Sequence, residues 1–183
     1  MSRLFEDKDI KIVGDNPSES VRIYREQALM ASKSSEEQVT NAKKFGAHIA
    51  NEFYKAASAY SDAVEDSDFG MFVQRLYLLS FTVSASFDNF INSDEIAGIA
   101  QKSFLDTVNK DHPDIYKYTS DTGAFSFYYL AFRRGGEIER RIGQTFAMLC
   151  AHDGDPIYQE LGEVLYCWFS SLILDLAKQY NIA

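Results

Sequence analysis

Between residues 39 and 63, apolar or small residues recur three and four positions apart without a gap: Val39, Ala42, Gly46, Ile49, Phe53, Ala56, Tyr60 and Ala63. An α-helix turns that alternation into one continuous stripe, and the stripe has the a/d pattern by which two helices pack lengthwise. Half of its positions are Ala or Gly, which lets a neighbouring backbone come close. Ser34 with Glu37, and Ser35 with Gln38, have capping-box spacing. The pattern therefore predicts a helix that begins near Ser35 and stops in the acidic run Glu65-Asp66-Ser67-Asp68. The seam is longer than a globular helix usually needs, so it predicts self-association. Val39, Ala42, Gly46, Ile49 and Phe53 are the expected interface residues, and a helix of the same chain is the competing cover.

The same spacing recurs along most of the chain, and only 3 prolines interrupt it. Residues 1–17 mix charges with scattered apolar residues and read as an extended or poorly ordered arm. Ser18 stands at an N-cap position before Val21, Tyr24, Ala28 and Ala31, and Ser32-Lys33-Ser34-Ser35 is expected to break that first helix. Residues 69–91 are apolar on nearly every side, which places their helix centrally. Ser93 precedes a helix carrying Ile96, Ala100, Phe104 and Val108, and Pro113 can open a short one at its first position. A helix over 123–134 closes at Gly135-Gly136. Ile138, Ile142, Phe146 and Leu149 mark the next, and a long apolar helix follows Pro156. No stretch alternates with period two between turn residues. The expected fold class is all-α, with residues 18–183 forming a single-domain bundle of about seven or eight helices.

One echo runs through the second half at a spacing of 42 residues. Glu95-Ile96, Phe104, Asp111, Ile115-Tyr116, Phe127 and Leu130 align with Glu137-Ile138, Phe146, Asp153, Ile157-Tyr158, Phe169 and Leu172. If it records a duplication, residues 95–134 and 137–176 form two pseudo-repeated helical hairpins; chance similarity between helical heptads is the competing account.

Composition narrows the function classes. Hydrophobic residues make up 46% and aromatics 14%, enough apolar surface to exclude wholesale disorder. A formal net charge of −9 repels polyphosphate, which argues against nucleic acid and against an anionic membrane surface as partner. The longest apolar runs, 76–87 and 164–174, are short of the roughly 20 residues that a membrane span requires. The first twenty residues lack the apolar core of a secretory signal. Cys150 and Cys167 are too few for a disulfide framework and read as small core residues in a reducing compartment, so the expected location is the cytoplasm.

Few residues point to chemistry. His152-Asp153 resembles the metal-binding His-Asp pair of helical phosphohydrolases, with His48 or His112 and Asp175 as partners. The competing account is a histidine at the negative end of a helix. None of the 3 histidines has Glu three residues before it, so a di-iron carboxylate bundle is excluded on its defining motif. No Gly-x-Ser-x-Gly or phosphate-cradling glycine loop is present, and neither cysteine has a basic sequence neighbour. Arg133, Arg134, Arg140 and Arg141 bracket a helix start and suit an anionic ligand. Equally, they suit a helix C-terminus and a Glu137 ion pair. Ser80 and Ser84 share one face of their helix and, with Arg75 and Asp88, suit a polar pocket; close helix packing is the alternative. The aromatic run Phe125, Phe127, Tyr128, Tyr129, Phe132 covers more than one face, so one face is core and the other suits a partner.

Three function classes are compatible with these features. An interaction or scaffold module that self-associates explains the seam and the aromatic excess without any chemistry. A binder of a small anionic ligand through the arginines comes second. A metal-dependent phosphohydrolase-like enzyme comes third, with His152-Asp153 as its only foothold. The expected partner is a protein or a second copy of the chain, and no cofactor is called for.

Overall fold

The computed structural model describes residues 17–58, 69–119 and 122–183, and every element among them is helical. In chain order these are α1 (Pro17–Ser58), α2 (Phe69–Phe90), α3 (Asp94–Asp111), α4 (Pro113–Tyr116) with a 3-10 turn over Lys117–Thr119, α5 (Thr122–Arg133), α6 (Ile138–Leu149) and α7 (Pro156–Gln179). The fold class is all-α, as the periodicity predicts. Chain contacts divide the protein into two compact units, Met1–Glu37 and Gln38–Ala183. The second unit holds both apolar cores. Of the predicted arm, residues 1–16 lie outside the described residues, as does the predicted acidic stop at 65–68.

Local chemistry accounts for several boundaries. The Ser93 hydroxyl accepts from the Ile96 amide at 3.5 Å at the start of α3. The Asp155 carboxylate accepts from the Ile157 amide at 2.9 Å, with Pro156 in the first turn of α7. Gly135 and Gly136, at φ 65° and 76°, occupy the left-handed region that a side chain would resist, and α5 ends just before them. One predicted break does not occur. The backbone runs helically through Ser32-Lys33-Ser34-Ser35, because a serine inside a helix costs only a fraction of a kcal/mol, about 0.5, relative to alanine.

Two cores lie on opposite sides of α2 and α7. The first joins residues 42–57 of α1 to Leu76, Leu79, Val83 and Phe87 of α2, to α3, and to Phe169, Ile173 and Leu176 of α7. The second joins Leu78 and Phe81 of α2 to Tyr128 of α5, Ile142 and Phe146 of α6, and Leu165 and Tyr166 of α7. A helix serving two cores needs apolar residues on two faces, which is why 69–91 shows no polar stripe. Two interhelical approaches depend on missing side chains. Gly143 of α6 sits against the Gln159 carbonyl of α7, and Gly162 of α7 faces the Phe146 β-carbon. Gly46 of α1 lies against the Ala100 carbonyl of α3.

The 42-residue echo is not expressed as two equivalent hairpins. Ile115 is 5% exposed where its counterpart Ile157 is 74% exposed, and Phe127 is 49% exposed where Phe169 is fully buried. α6 packs closely along α7 through the two glycines, while α3 takes its close neighbour from α1. These two aligned pairs therefore do different work in the two halves, while Phe104 and its counterpart Phe146 are both buried.

Candidate functional site

The seam on α1 is covered within the chain, which corrects its reading as a subunit interface. Ala42, Ile49 and Phe53 have no exposed surface, Gly46 is buried, and Val39 is half-buried beside α3. A β-carbon on Gly46 would run into the Ala100 carbonyl and the Phe104 amide, so α3 already fills the place of a partner helix. Tyr60 and Ala63 lie outside the described residues.

The four arginines do not converge. The Arg133 guanidinium carbon lies 5.6 Å from the Tyr129 ring centroid, and Arg140 bonds Glu137 at 3.0 Å, the helix pair the charge pattern allowed for. Only Arg134 and Arg141 share a groove, of about 290 Å³, with Gln144, Thr145, Met148 and Asp153. The Asp153 carboxylate in that groove offsets their charge. Arg141 Nη1 is buried without a hydrogen-bond partner, and the guanidinium lies over Gly136.

Arg75 and Asp88 do not share a pocket, contrary to expectation. They stand thirteen residues apart on α2, which separates them by about 20 Å along its axis. Arg75 is 4% exposed, while Asp88 is at the surface. Thr82 donates to the Leu78 carbonyl at 2.8 Å and Ser86 meets Ser170 at 3.4 Å, so these hydroxyls serve helix packing. Ser84 differs. With Asp88 it lines a cleft of about 220 Å³ between α2 and α5, whose other walls are Phe81, Ala85, Phe125, Ser126 and Tyr129. Burial pushes the Asp88 carboxyl above the usual carboxylate range, and the neighbouring Asp94 adds to the shift.

The histidines are also dispersed. His152 stacks on Tyr158 at 3.8 Å and His112 on Tyr54 at 3.4 Å, each pair within 7° of parallel. His48 meets the Tyr180 hydroxyl at 3.2 Å and Glu52 at 3.8 Å, and it lines an α1–α7 groove of about 410 Å³ with Trp168, Leu172 and Asp175. Asp153 lines the arginine groove, and Asp175 stands about 28 Å from the start of α7. The set His152, Asp153, His48 or His112, and Asp175 is therefore not assembled. Among the described residues, metal-ligating side chains do not gather in groups of three or more.

Both thiols are free, and burial raises their pKa: Cys150 is pushed up to about 11, and Cys167 is raised further by Glu139 and Glu163. Two consequences can be measured. Alkylation of Cys150 by iodoacetamide is expected to stay slow through pH 9 and to accelerate toward pH 11. The same shift works against the fold at high pH. An unfolded chain releases this proton near 9.0, ahead of the folded one, so stability falls between pH 9 and 11. Rapid alkylation of Cys150 in folded protein at pH 7.5 would contradict this.

Aromatic residues on the surface are what residue patterns located only in part. On α5, Tyr128 is fully buried against Phe81, with ring centroids 5.4 Å apart, while Phe127, Tyr129 and Leu130 are 49%, 52% and 57% exposed. The crowding of aromatics on one helix was the visible signal. Trp168 on α7, 47% exposed, had none beyond being the single tryptophan. No protein-family model, curated protein or solved structure matches this chain. No helix among the described residues is long and apolar enough to cross a membrane.

Proposed function

We propose that this protein is an interaction module that self-associates through the outer face of α5. The observation that carries it is the half-exposure of Phe127, Tyr129 and Leu130 on a helix whose inner face is already saturated by core contacts. Exposed aromatics grouped on one helix concentrate binding energy. The charge layout favours a second copy as the occupant. Phe127 and Leu130 are one turn apart, and Arg133 and Arg134 stand at the C-terminal end only. Antiparallel pairing about a two-fold axis sets Phe127 of each copy against Leu130 of the other and keeps the arginines at opposite ends. Two free thiols are compatible with a reducing setting, and a cytoplasmic location is part of this reading.

Sedimentation velocity at tens of micromolar tests it. Wild-type protein is expected as a dimer. Leu130→Glu, at a surface position that folding does not need buried, is expected to give a folded monomer with its helicity intact and dimer affinity reduced at least about a hundredfold. A monomeric wild type, or a Leu130→Glu dimer of unchanged affinity, overturns the reading.

A further inference from the structure

The α2–α5 cleft is a different kind of site from the face beside it. Its volume, about 220 Å³, is below the roughly 300–1,000 Å³ of pockets that take whole cofactors, so it suits a head group. Three of its walls are aromatic. Phe81 and Phe125 meet nearly at right angles, 79°, with centroids 6.4 Å apart, and Tyr129 lines the cleft beside them. Phe81, 2% exposed and stacked on Tyr128, forms the floor of the cleft, so Phe125 and Tyr129 supply most of its accessible ring surface, and π faces attract cations. Tyr129 already shows this behaviour by holding the Arg133 guanidinium over its ring.

Asp88 supplies the charge. Among the described residues it has no cationic partner, and its charged neighbour is another carboxylate, Asp94. Glu95 follows Asp94 in the first turn of α3, so this end of α2 carries a local negative field. A surface carboxylate at the rim of an aromatic cleft, without a cationic partner among the described residues, is open to a cation that enters the cleft. A metal ion does not fit: ring carbons offer no ligand atoms, and one carboxylate with the neutral hydroxyls of Ser84, Ser126 and Tyr129 is a poor oxygen cage. A primary ammonium would lose hydration against the rings with few acceptors to replace it. A methylated ammonium keeps its charge, has no hydration of that kind to lose, and offers methyl groups to Phe81, Phe125 and Tyr129.

From this geometry we infer that the cleft of Phe81, Phe125, Tyr129 and Asp88 binds the quaternary ammonium group of a small organic cation. Tyr129 borders both the cleft and the proposed self-association face, and the experiment keeps the two apart through Leu130→Glu, which alters the face and not the cleft lining. Titration calorimetry with choline and with tetramethylammonium, at constant ionic strength, is expected to show saturable binding to wild-type protein and to the Leu130→Glu variant alike. The uncharged isostere 3,3-dimethylbutanol is expected to bind at least about tenfold more weakly. Asp88→Asn, a conservative change at an exposed position, and Tyr129→Ala are each expected to weaken choline about tenfold or more, while Asp175→Asn in the α1–α7 groove leaves it unchanged. A trimethyllysine peptide serves as the second arm. If it binds more tightly than choline, the source is a modified protein side chain, and the small-molecule assignment is overturned. Absence of saturable binding up to millimolar choline, equal binding of the isostere, or an unchanged affinity in Asp88→Asn overturns the site itself.

Discussion

Gly46→Glu is expected to abolish folding, not to release a folded monomer. The residue stands where α1 and α3 come closest, and a β-carbon there would overlap the Ala100 carbonyl and crowd Ser103 and the Phe104 amide. The Ser103 hydroxyl also donates to the Lys43 carbonyl at 2.7 Å, tying the two backbones together at the same crossing. A backbone carbonyl cannot swing away as a flexible side chain does, so the helices must separate. Alanine alone is expected to cost about 1–3 kcal/mol in spite of its better helix propensity. Glutamate adds a buried, unpaired carboxylate worth several kcal/mol more, which is comparable with the whole stability of a domain, about 5–15 kcal/mol. Circular dichroism and urea titration distinguish the outcomes. An unchanged melting temperature in Gly46→Ala would mean that α3 does not pack against α1 at this crossing.

Phe104→Ala is expected to be the most costly truncation in the first core, at about 3–5 kcal/mol. Phe104 is 1% exposed and belongs to a row of rings that joins three helices and the residue that follows α7. Its centroid lies 5.6 Å from Phe53 of α1 and 6.5 Å from Phe87 of α2; Phe87 lies 5.0 Å from Phe45, and Phe45 lies 5.9 Å from Tyr180 beyond α7. Removing the ring opens a cavity that rigid helices on three sides cannot collapse into. The urea midpoint should fall with the slope unchanged, because the surface exposed on unfolding is nearly the same. Pairing the change with Phe53→Ala should cost less than the sum of the two, since the rings touch. Ile157→Ala, at a position 74% exposed, provides the contrast and is expected to stay within about 0.5 kcal/mol. A loss below about 1 kcal/mol in Phe104→Ala would contradict the central place of this ring in the core.

Residues near in sequence determined most of what was legible. Helix-forming spacing, the Ser93 start, Pro113 and Pro156 in first turns, and the paired glycines at 135 and 136 act within a turn or two of themselves, so they can be read without knowing the fold. The apolar circumference of 69–91 likewise implied a central helix, and α2 serves both cores. The serines at 32–35 show the limit of such local signals. A capping box states that a helix can start, and it has no power to stop one already running.

What covers an apolar stripe was decided by tertiary structure alone. Val39, Ala42, Gly46, Ile49 and Phe53 present the same pattern to a helix of their own chain as to a second copy, because periodicity encodes a face and not its occupant. α3 took that place. The arginines went the other way: four charges within nine residues of sequence were drawn to a ring, a glutamate and one shared groove, since direction around a helix changes by about 100° per residue. The cleft of Phe81, Phe125, Tyr129 and Asp88 was legible only in pieces: Ser84 and Asp88 read as pocket residues and Phe125 and Tyr129 as part of an aromatic run, with nothing in the sequence to join them. Its residues come from two helices separated by more than thirty positions, and only the packing of α5 on α2 turns them toward one volume.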